Sequence, residues 1–226
     1  MSGEGFAREG EASLDIDRVK QLAAQLHDLT AEGVQIACVI GGGNILRGSQ
    51  SSELGINRST ADYMGMLATV VNGLALSDAL EGEGVQTRVM SAIDVDKVCE
   101  PFIRRRAIRH LEKGRVVILV GGLGIPYFTT DSTAAQRAVE LECDVLLKAT
   151  MVDGVYDKDP REEDDAVLLP DLTFDEVLAK RLRVMDQTAF TLCRENNLPL
   201  VVFHMAAEGG VVKAARGERI GTLVHN

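Results

Sequence analysis

Val34-Gln35-Ile36-Ala37-Cys38-Val39-Ile40 runs without a break into Gly41-Gly42-Gly43-Asn44. A short, nearly uninterrupted apolar run rich in β-branched residues reads as a strand buried on both faces, the texture of a parallel sheet. Consecutive glycines directly after it let the backbone turn sharply and come close to a ligand, with N–H groups available to anionic oxygens. The same grammar returns where Arg115–Val120 (RVVILV) enters Gly121-Gly122-Leu123-Gly124. Two buried strands that each end in a glycine cluster predict an α/β fold with two candidate phosphate cradles. Taken singly, each cluster is equally well a tight strand-to-helix turn. Neither fits the GxxxxGK[ST] pattern of a P-loop.

Working outward, strands and helical patterns alternate along the chain, which predicts a parallel or mostly parallel sheet covered by helices. Leu14 to Leu29 has helical spacing, with Asp15 or Asp17 available as an N-terminal cap and Gly33 as a stop. Arg58 to Leu80 is a long helix with small and apolar residues on nearly all sides, so it is expected to be buried or packed in an oligomer. Val85–Met90 reads as a strand, Asp131–Glu142 as a helix and Cys143–Lys148 as a further strand. From Asp153 to Leu169 the texture turns acidic and turn-rich, the signature of an exposed loop. Short helices at Phe174–Lys180 and Thr188–Glu195, a strand at Leu200–Phe203 and a final helix and strand complete the pattern. With no internal repeat and no flexible linker, residues 1–226 read as a single domain. Its two lobes, about 1–140 and 141–226, are expected to share one continuous sheet.

Composition narrows the function. The chain has 226 residues, of which 46% are hydrophobic, enough to bury a layered core without disulfides or structural metal. Its formal net charge is -10 and its pI about 4.9, so the surface as a whole repels nucleic acid and anionic membrane. An anionic small substrate therefore needs a local pocket of positive potential. Aromatic residues make up 4% and Trp is absent, which argues against stacking platforms for single-stranded nucleic acid. Cys38, Cys99, Cys143 and Cys193 stand far apart without CxxC spacing, so buried thiols are expected rather than zinc or disulfides, and no metal site is predicted. The first dozen residues are polar and acidic, and no uninterrupted apolar run approaches the ~18 residues that span a bilayer. A cytoplasmic location is expected.

Side chains beside the glycine clusters sharpen the chemistry. Arg47 follows the first cluster closely enough to place a guanidinium on the same phosphates, although a lone Arg after a turn is commonly a solvated charge. After the second cluster, Thr129, Thr130 and Asp131 sit where the next helix begins and supply hydroxyls and N–H donors at its positive end. Plain N-capping, worth about 1 kcal/mol, explains them as well. Farther on, Lys148–Tyr156 followed by Asp157-Lys158-Asp159-Pro160 is a strand ending in a turn that could hold a base and ribose, though alone it is an ordinary turn.

Taken together, five segments resemble the bacterial UMP kinases of the amino-acid kinase family. They are GGGN-x-x-R (Gly41–Arg47), the helix Asp62-Tyr63-Met64-Gly65-Met66-Leu67-Ala68-Thr69, Gly122–Asp131, KATxVDGVY (Lys148–Tyr156) and Val184-Met185-Asp186, in that order and at family spacing. The resemblance covers essentially the whole chain, and DxMGMLAT and the PYFTTD turn are its most specific parts. It implies a three-layer αβα sandwich with a central, mostly parallel sheet, assembled as a homohexamer. It also implies transfer of the γ-phosphoryl group of ATP, with Mg²⁺, to UMP, giving UDP in pyrimidine nucleotide biosynthesis. By the resemblance, the first lobe is the UMP side and the second the ATP side. Gly42, Asp62, Leu123, Gly124, Ile125, Pro126, Tyr127, Phe128, Thr129 and Thr130 fall on UMP-binding positions, with Asp62 accepting the ribose hydroxyls. Ser2, Gly3, Gly43, Arg47, Thr150, Tyr156 and Asp159 fall on ATP-binding positions. Arg47, Asp131 and Asp186 are the catalytic candidates, the two carboxylates acting by orienting a Lys or a hydrated Mg²⁺, since a carboxylate facing phosphates by itself would repel them.

Three departures from the family pattern bear on function. Leu123-Gly124-Ile125 stands where Thr-Gly-Asn is usual, which removes side-chain hydrogen bonds near the acceptor. For the family's GTP effector site Arg88 and Arg115 match, but Ser77 and Glu81 replace charged or imidazole groups. The family also begins with an apolar strand ending Lys-x-Ser-Gly-Glu, and Met1-Ser2-Gly3-Glu4 starts one residue after that lysine. The first strand and its lysine are therefore expected to lie outside this chain. Either the start codon is placed too far downstream, or the chain is a slow, truncated form in which Lys148 is the nearest substitute. Two other activities fit the scaffold: a nucleotide- and oxyanion-binding storage protein with little turnover, and a carboxylate or carbamate kinase. DxMGMLAT and PYFTTD argue against the latter.

Overall fold

A computed structural model describes residues 1–7, 13–46, 55–182, 184–205 and 207–226. The chain forms two compact units, Met1–Thr133 and Ala134–Asn226.

The first unit opens with a 3-10 turn, Gly3–Phe6, and α1 (Ile16–Ala31). Asp15 caps α1, accepting from the N–H groups of Asp17 and Arg18, which decides between the two aspartates that the sequence offered. Then come β1 (Ala37–Val39), α2 (Arg58–Gly82), β2 (Thr87–Ser91), β3 (Glu100–Pro101), α3 (Arg104–Glu112) and β4 (Val116–Val120). The strands form a sheet in the order β1-β4-β2-β3, parallel throughout. Parallel neighbours need crossovers, and the helices provide them. β1 is shorter than the run Val34–Ile40 suggests because Val34 donates its N–H back to Leu29 O at the end of α1 (3.1 Å) and so starts outside the ladder. At the other end of β1, the Met1 amine donates to Val39 O (2.8 Å) and Met1 O accepts from Gly41 N (2.9 Å).

β4 is buried along its whole length, as a strand covered on both faces must be. α2 packs against it so closely that a Cβ on Gly73 would fall 2.4 Å from Val120 Cγ1. By length and composition alone α2 could cross a membrane. In the fold it is a core helix, with Leu76 and Leu80 fully buried against the unit's interior. Its other face shows Tyr63, Leu67 and Val71, exposed apolar residues one helical turn apart.

In the second unit the sheet order is β5-β9-β10-β8. α4 (Thr130–Glu140) leads into it, followed by β5 (Leu146–Thr150), β6 (Val155–Tyr156), β7 (Leu168–Leu169), β8 (Asp171–Thr173), α5 (Phe174–Ala179), α6 (Gln187–Glu195), β9 (Leu200–His204), α7 (Gly210–Ala215) and β10 (Thr222–His225). β10 is antiparallel to β9, and the other pairs of this sheet are parallel. The described strands thus pair as a four-stranded sheet within each unit, with a further two-stranded pair, β6–β7, in the second. The acidic stretch 153–169 is not all loop. β6 and β7 close it as an antiparallel clip, with Thr222 Oγ1 accepting from Val155 N (2.8 Å) and donating to Leu169 O (2.6 Å). Phe174 and Phe190 meet edge to face in the core of this unit, centroids 5.1 Å apart. All four cysteines are free, three of them buried, and burial pushes the Cys38 thiol up to about 11.

Candidate active site

β1 and β4 are neighbours, so their carboxyl ends bring the two glycine turns side by side. A cavity of about 560 Å³ opens there. One wall is the first turn, Gly42 and Gly43, continuing to Leu46. A second is the N-terminal half of α2 through Arg58, Asp62, Gly65, Met66 and Thr69. The third follows the other glycine cluster through Gly122, Leu123, Ile125 and Phe128 to the start of α4 at Thr129, Thr130 and Thr133.

Each wall is held by close contacts. A Cβ on Gly42 would lie 2.6 Å from Gly65 O and 2.9 Å from Ala68 Cβ, so the turn rests directly on the α2 backbone. A Cβ on Gly3 would lie 2.3 Å from Gly43 N, so the 3-10 turn backs the same glycines from the other side. The second cluster bends through positive φ at Gly121 (75°), Gly122 (58°) and Gly124 (80°), conformations that side chains resist. Tyr127 also adopts a positive φ, 71°, and is held there by donating its N–H to Asp62 Oδ2 (2.8 Å) and accepting from Ser59 Oγ at its hydroxyl (3.2 Å).

Asp62 therefore has partners. Arg58 Nε donates to Oδ1 (2.9 Å) and Oδ2 (3.0 Å), and the Arg58 guanidinium lies over the Tyr127 ring, 5.7 Å from its centroid. The carboxylate expected to accept ribose hydroxyls is already an acceptor for two donors that a ribose diol would join or displace. Arg58 is the cation among the described lining residues, and its charge is paired with the Asp62 carboxylate. At the third wall Thr129 Oγ1 accepts from Ser132 N (3.1 Å), the capping role that the sequence also allowed, and Asp131 lies in the first turn of α4.

Of the residues expected to bind the acceptor, Gly42, Asp62, Leu123, Ile125, Phe128, Thr129 and Thr130 come together around the cavity. Gly124, Pro126 and Tyr127 shape the turn without lining it. Gly43, expected on the ATP side, lines the same cavity, and Gly3 abuts it. Ser2 caps the 3-10 turn, accepting from Glu4 N (3.3 Å). Arg47 lies outside the described residues, although its neighbour Leu46 is on the wall. Thr150, Tyr156, Asp159 and Asp186 belong to the second unit. There Thr150 ends β5, and Tyr156 donates to Asp153 Oδ2 (3.3 Å), burial and then that carboxylate pushing its phenol up. Asp159 accepts from Arg161 N (2.9 Å), and Asp186 caps α6, accepting from Ala189 N (2.9 Å). On the face considered for an effector, Arg115 donates to His110 Nδ1 (3.0 Å), Arg88 lies 3.5 Å from Glu100, and Thr87 donates to Glu81 (2.9 Å) while sharing a hydrogen bond with Ser77.

Sequence reasoning missed Arg58, Gly65, Met66, Thr69 and Thr133. The signal was available on α2, because residues three and four apart share a helix face, and the steps from 58 to 62, 65, 66 and 69 trace the face that carries Asp62.

A sequence profile of the Amino acid kinase family matches residues 3–204. The uridylate kinase of Dichelobacter nodosus (strain VCS1703A) is 52% identical over 225 residues, covering 100% of this chain and 93% of that protein. Among solved structures, UMP kinase from Bacillus anthracis superposes with a TM-score of 0.95 at 38% identity, covering 99% of this chain and 93% of that one. UMP kinase from Ureaplasma parvum gives 0.94 at 39% identity, covering 100% and 96%. With the profile spanning most of its length and a relative this similar matched along the whole of this chain, the chain belongs to the amino-acid kinase family.

Proposed function

We propose that this chain is a UMP kinase: it transfers the γ-phosphoryl group of ATP to a phosphate oxygen of UMP, releasing ADP and UDP. The observation that carries the reading is the cavity itself, where two glycine turns, a helix N-terminus with two threonines, an arginine and an aspartate converge. Backbone N–H groups and a helix N-terminus suit a phosphate. A carboxylate at the far wall suits a ribose diol. The named relatives act on the same acceptor.

In this reading Gly42 and the segment Leu123–Thr130 hold UMP, and Asp62 accepts its ribose hydroxyls. Ser2, Gly3, Gly43, Arg47, Thr150, Tyr156 and Asp159 hold ATP. Phosphoryl transfer asks for positioned donors and cations more than for covalent chemistry, so Arg47 would steady the transferring group. Magnesium would arrive on the ATP phosphates and neutralise their charge. Asp131 and Asp186 are hard oxygen donors of the kind that holds a hydrated Mg²⁺ through a carboxylate or two, without a protein cage. The enzyme would work in the cytoplasm as a homohexamer built of dimers, with the exposed Tyr63–Leu67–Val71 stripe of α2 supplying apolar contact area. On the face that carries Arg88 and Arg115 the family's GTP site is matched only in part, because Ser77 and Glu81 depart from it. Adding GTP to the kinase assay separates an activated from an unregulated enzyme.

A coupled assay of ADP release tests the substrate. UMP should be turned over faster than CMP, dUMP, acetylglutamate or aspartate. Equal rates with UMP and CMP, or ATP bound without turnover of any acceptor, would remove the basis for it.

A further inference from the structure

We propose that Thr69 and Asn72, three residues apart on the buried face of α2, are positioning residues that hold the two glycine turns in register for phosphoryl transfer. The proposal rests on the reading of those turns as substrate-phosphate cradles. Thr69 is 6% exposed and Asn72 fully buried.

The β1–β4 ladder ends where Ile40 donates its N–H to Leu119 O (3.1 Å). Gly41 follows Ile40, and Gly121 follows Val120, the last residue of β4; each opens a glycine turn, and each is bonded to the same helix. Thr69 Oγ1 accepts from Gly121 N (2.7 Å) and donates its proton to Met66 O (2.6 Å). A hydroxyl has one proton, and with that proton committed to Met66 the lone pairs can only accept, so the bond to Gly121 has one polarity. Asn72 Nδ2 donates to Gly41 O (2.8 Å) and to Asn44 Oδ1 (2.7 Å), while Asn44 Nδ2 donates back to Asn72 Oδ1 (3.1 Å) and toward Ser13 O (3.4 Å). A carbonyl can only accept, so Gly41 O fixes which end of the Asn72 amide faces it, and the reciprocal pair then fixes Asn44.

These groups sit where an apolar face would pack as well. Burying them costs free energy unless every one is paired, and among the described residues no buried side-chain nitrogen or oxygen lacks a partner. What the polar choice adds is direction. The first turn is pressed onto α2 at Gly65 and locked at Asn72, and the second is hung from Thr69 one helical turn away. The spacing between the cradles is thus set by a rigid helix, which suits a reaction sensitive to displacements below 1 Å.

The test uses two near-isosteres. Thr69→Val keeps the shape and removes the hydroxyl, whereas Thr69→Ser keeps the hydroxyl. In the coupled assay Thr69→Val should lower kcat with UMP on the order of tenfold or more, with the KM values for UMP and ATP moved by less than about threefold, and Thr69→Ser should stay within about threefold of the parent. Hydrogen exchange followed by mass spectrometry on the peptide containing Gly121 supplies a readout independent of turnover: faster in Thr69→Val, unchanged in Thr69→Ser. An active parent whose Thr69→Val variant keeps its kcat, or unaltered exchange at Gly121, overturns the proposal. A parent that does not phosphorylate UMP would instead sink the substrate reading, and the exchange comparison alone then decides whether Thr69 holds the turn.

Discussion

Gly42 and Gly43 are adjacent and chemically identical, yet only Gly42 is predicted to suffer from alanine. A Cβ on Gly42 would lie 2.6 Å from Gly65 O, 2.9 Å from Ala68 Cβ and 3.2 Å from Thr69 N, whereas a Cβ on Gly43 meets nothing within 4 Å. Ordinary contact begins near 3.4 Å, so Gly42→Ala must push the turn off α2 by about 0.8 Å, the difference between 3.4 and 2.6 Å. Neither side yields easily, since one is helix backbone and the other a turn locked by Asn44 and Asn72. Overpacking of this kind costs about 1–3 kcal/mol of stability. A displacement near 1 Å at a phosphate cradle costs roughly 10²-fold in rate, so kcat/KM for UMP is expected to fall by about 10–100-fold. Gly43→Ala should leave the urea midpoint unchanged, and any kinetic effect should fall on the nucleotide whose phosphates touch its new methyl. Urea unfolding and steady-state kinetics on the two variants decide the matter. Equal destabilisation by both substitutions, or a Gly42→Ala enzyme within about threefold of the parent, would refute the packing argument.

Other outcomes follow from the same geometry. Asp62→Asn should raise KM for UMP and narrow the preference over dUMP, measured with both acceptors, and an unchanged preference would remove Asp62 from the ribose. Leu67→Glu places a charge in the exposed stripe of α2, and light scattering should then give less than the mass of six 24.4 kDa chains expected of the parent. A parent that is already a monomer at micromolar concentration contradicts the assembly. Cys38 should resist thiol reagents at pH 8 until the protein unfolds, because burial raises its pKa to about 11. From the ordinary thiol value of 9.0 up to about 11 the unfolded chain gives up this proton while the native state keeps it. Stability should therefore decline with rising pH in that window, by at most about 1.4 kcal/mol per pH unit from this group. Cys38→Ala should flatten the decline.

What the sequence disclosed divides along physical lines. The glycine turns and the strands that feed them were legible because burial on both faces and consecutive glycines leave few alternatives. Ile125 and Phe128 were legible as site residues only through resemblance, since no spacing rule says that they would line a cavity while Pro126 and Tyr127 would not. α3 escaped notice because Arg104–Glu112 carries mostly charge and its buried side is only Ala107, His110 and Leu111, too few apolar residues to announce a period. β3 and β8, two and three residues long, exist through their neighbours rather than through propensity. Arg58 entered only as the first residue of a long, mostly apolar helix; what distinguishes it is the carboxylate one turn later. Thr69 and Asn72 read as blemishes in an apolar helix until their partners on other segments are known, and those partners lie 28 to 52 residues away.

The first sheet has a temporal consequence. Its β1–β4 pairing joins Ala37 to Val117, 80 residues apart, and β1 has no other strand partner in the described ladder. At roughly 5–20 residues per second, a ribosome needs on the order of 4–16 seconds to supply those residues after β1 is made. Throughout that interval Ile36 to Ile40 lacks its β4 partner and presents an apolar segment with an open edge, and the glycine turn after it has only the N-terminal residues to rest on until α2 forms. Nascent chains paused before residue 120 should therefore be strong chaperone clients, and synonymous codon changes that slow translation between α2 and β4 should lower the yield of folded protein without altering a single side chain.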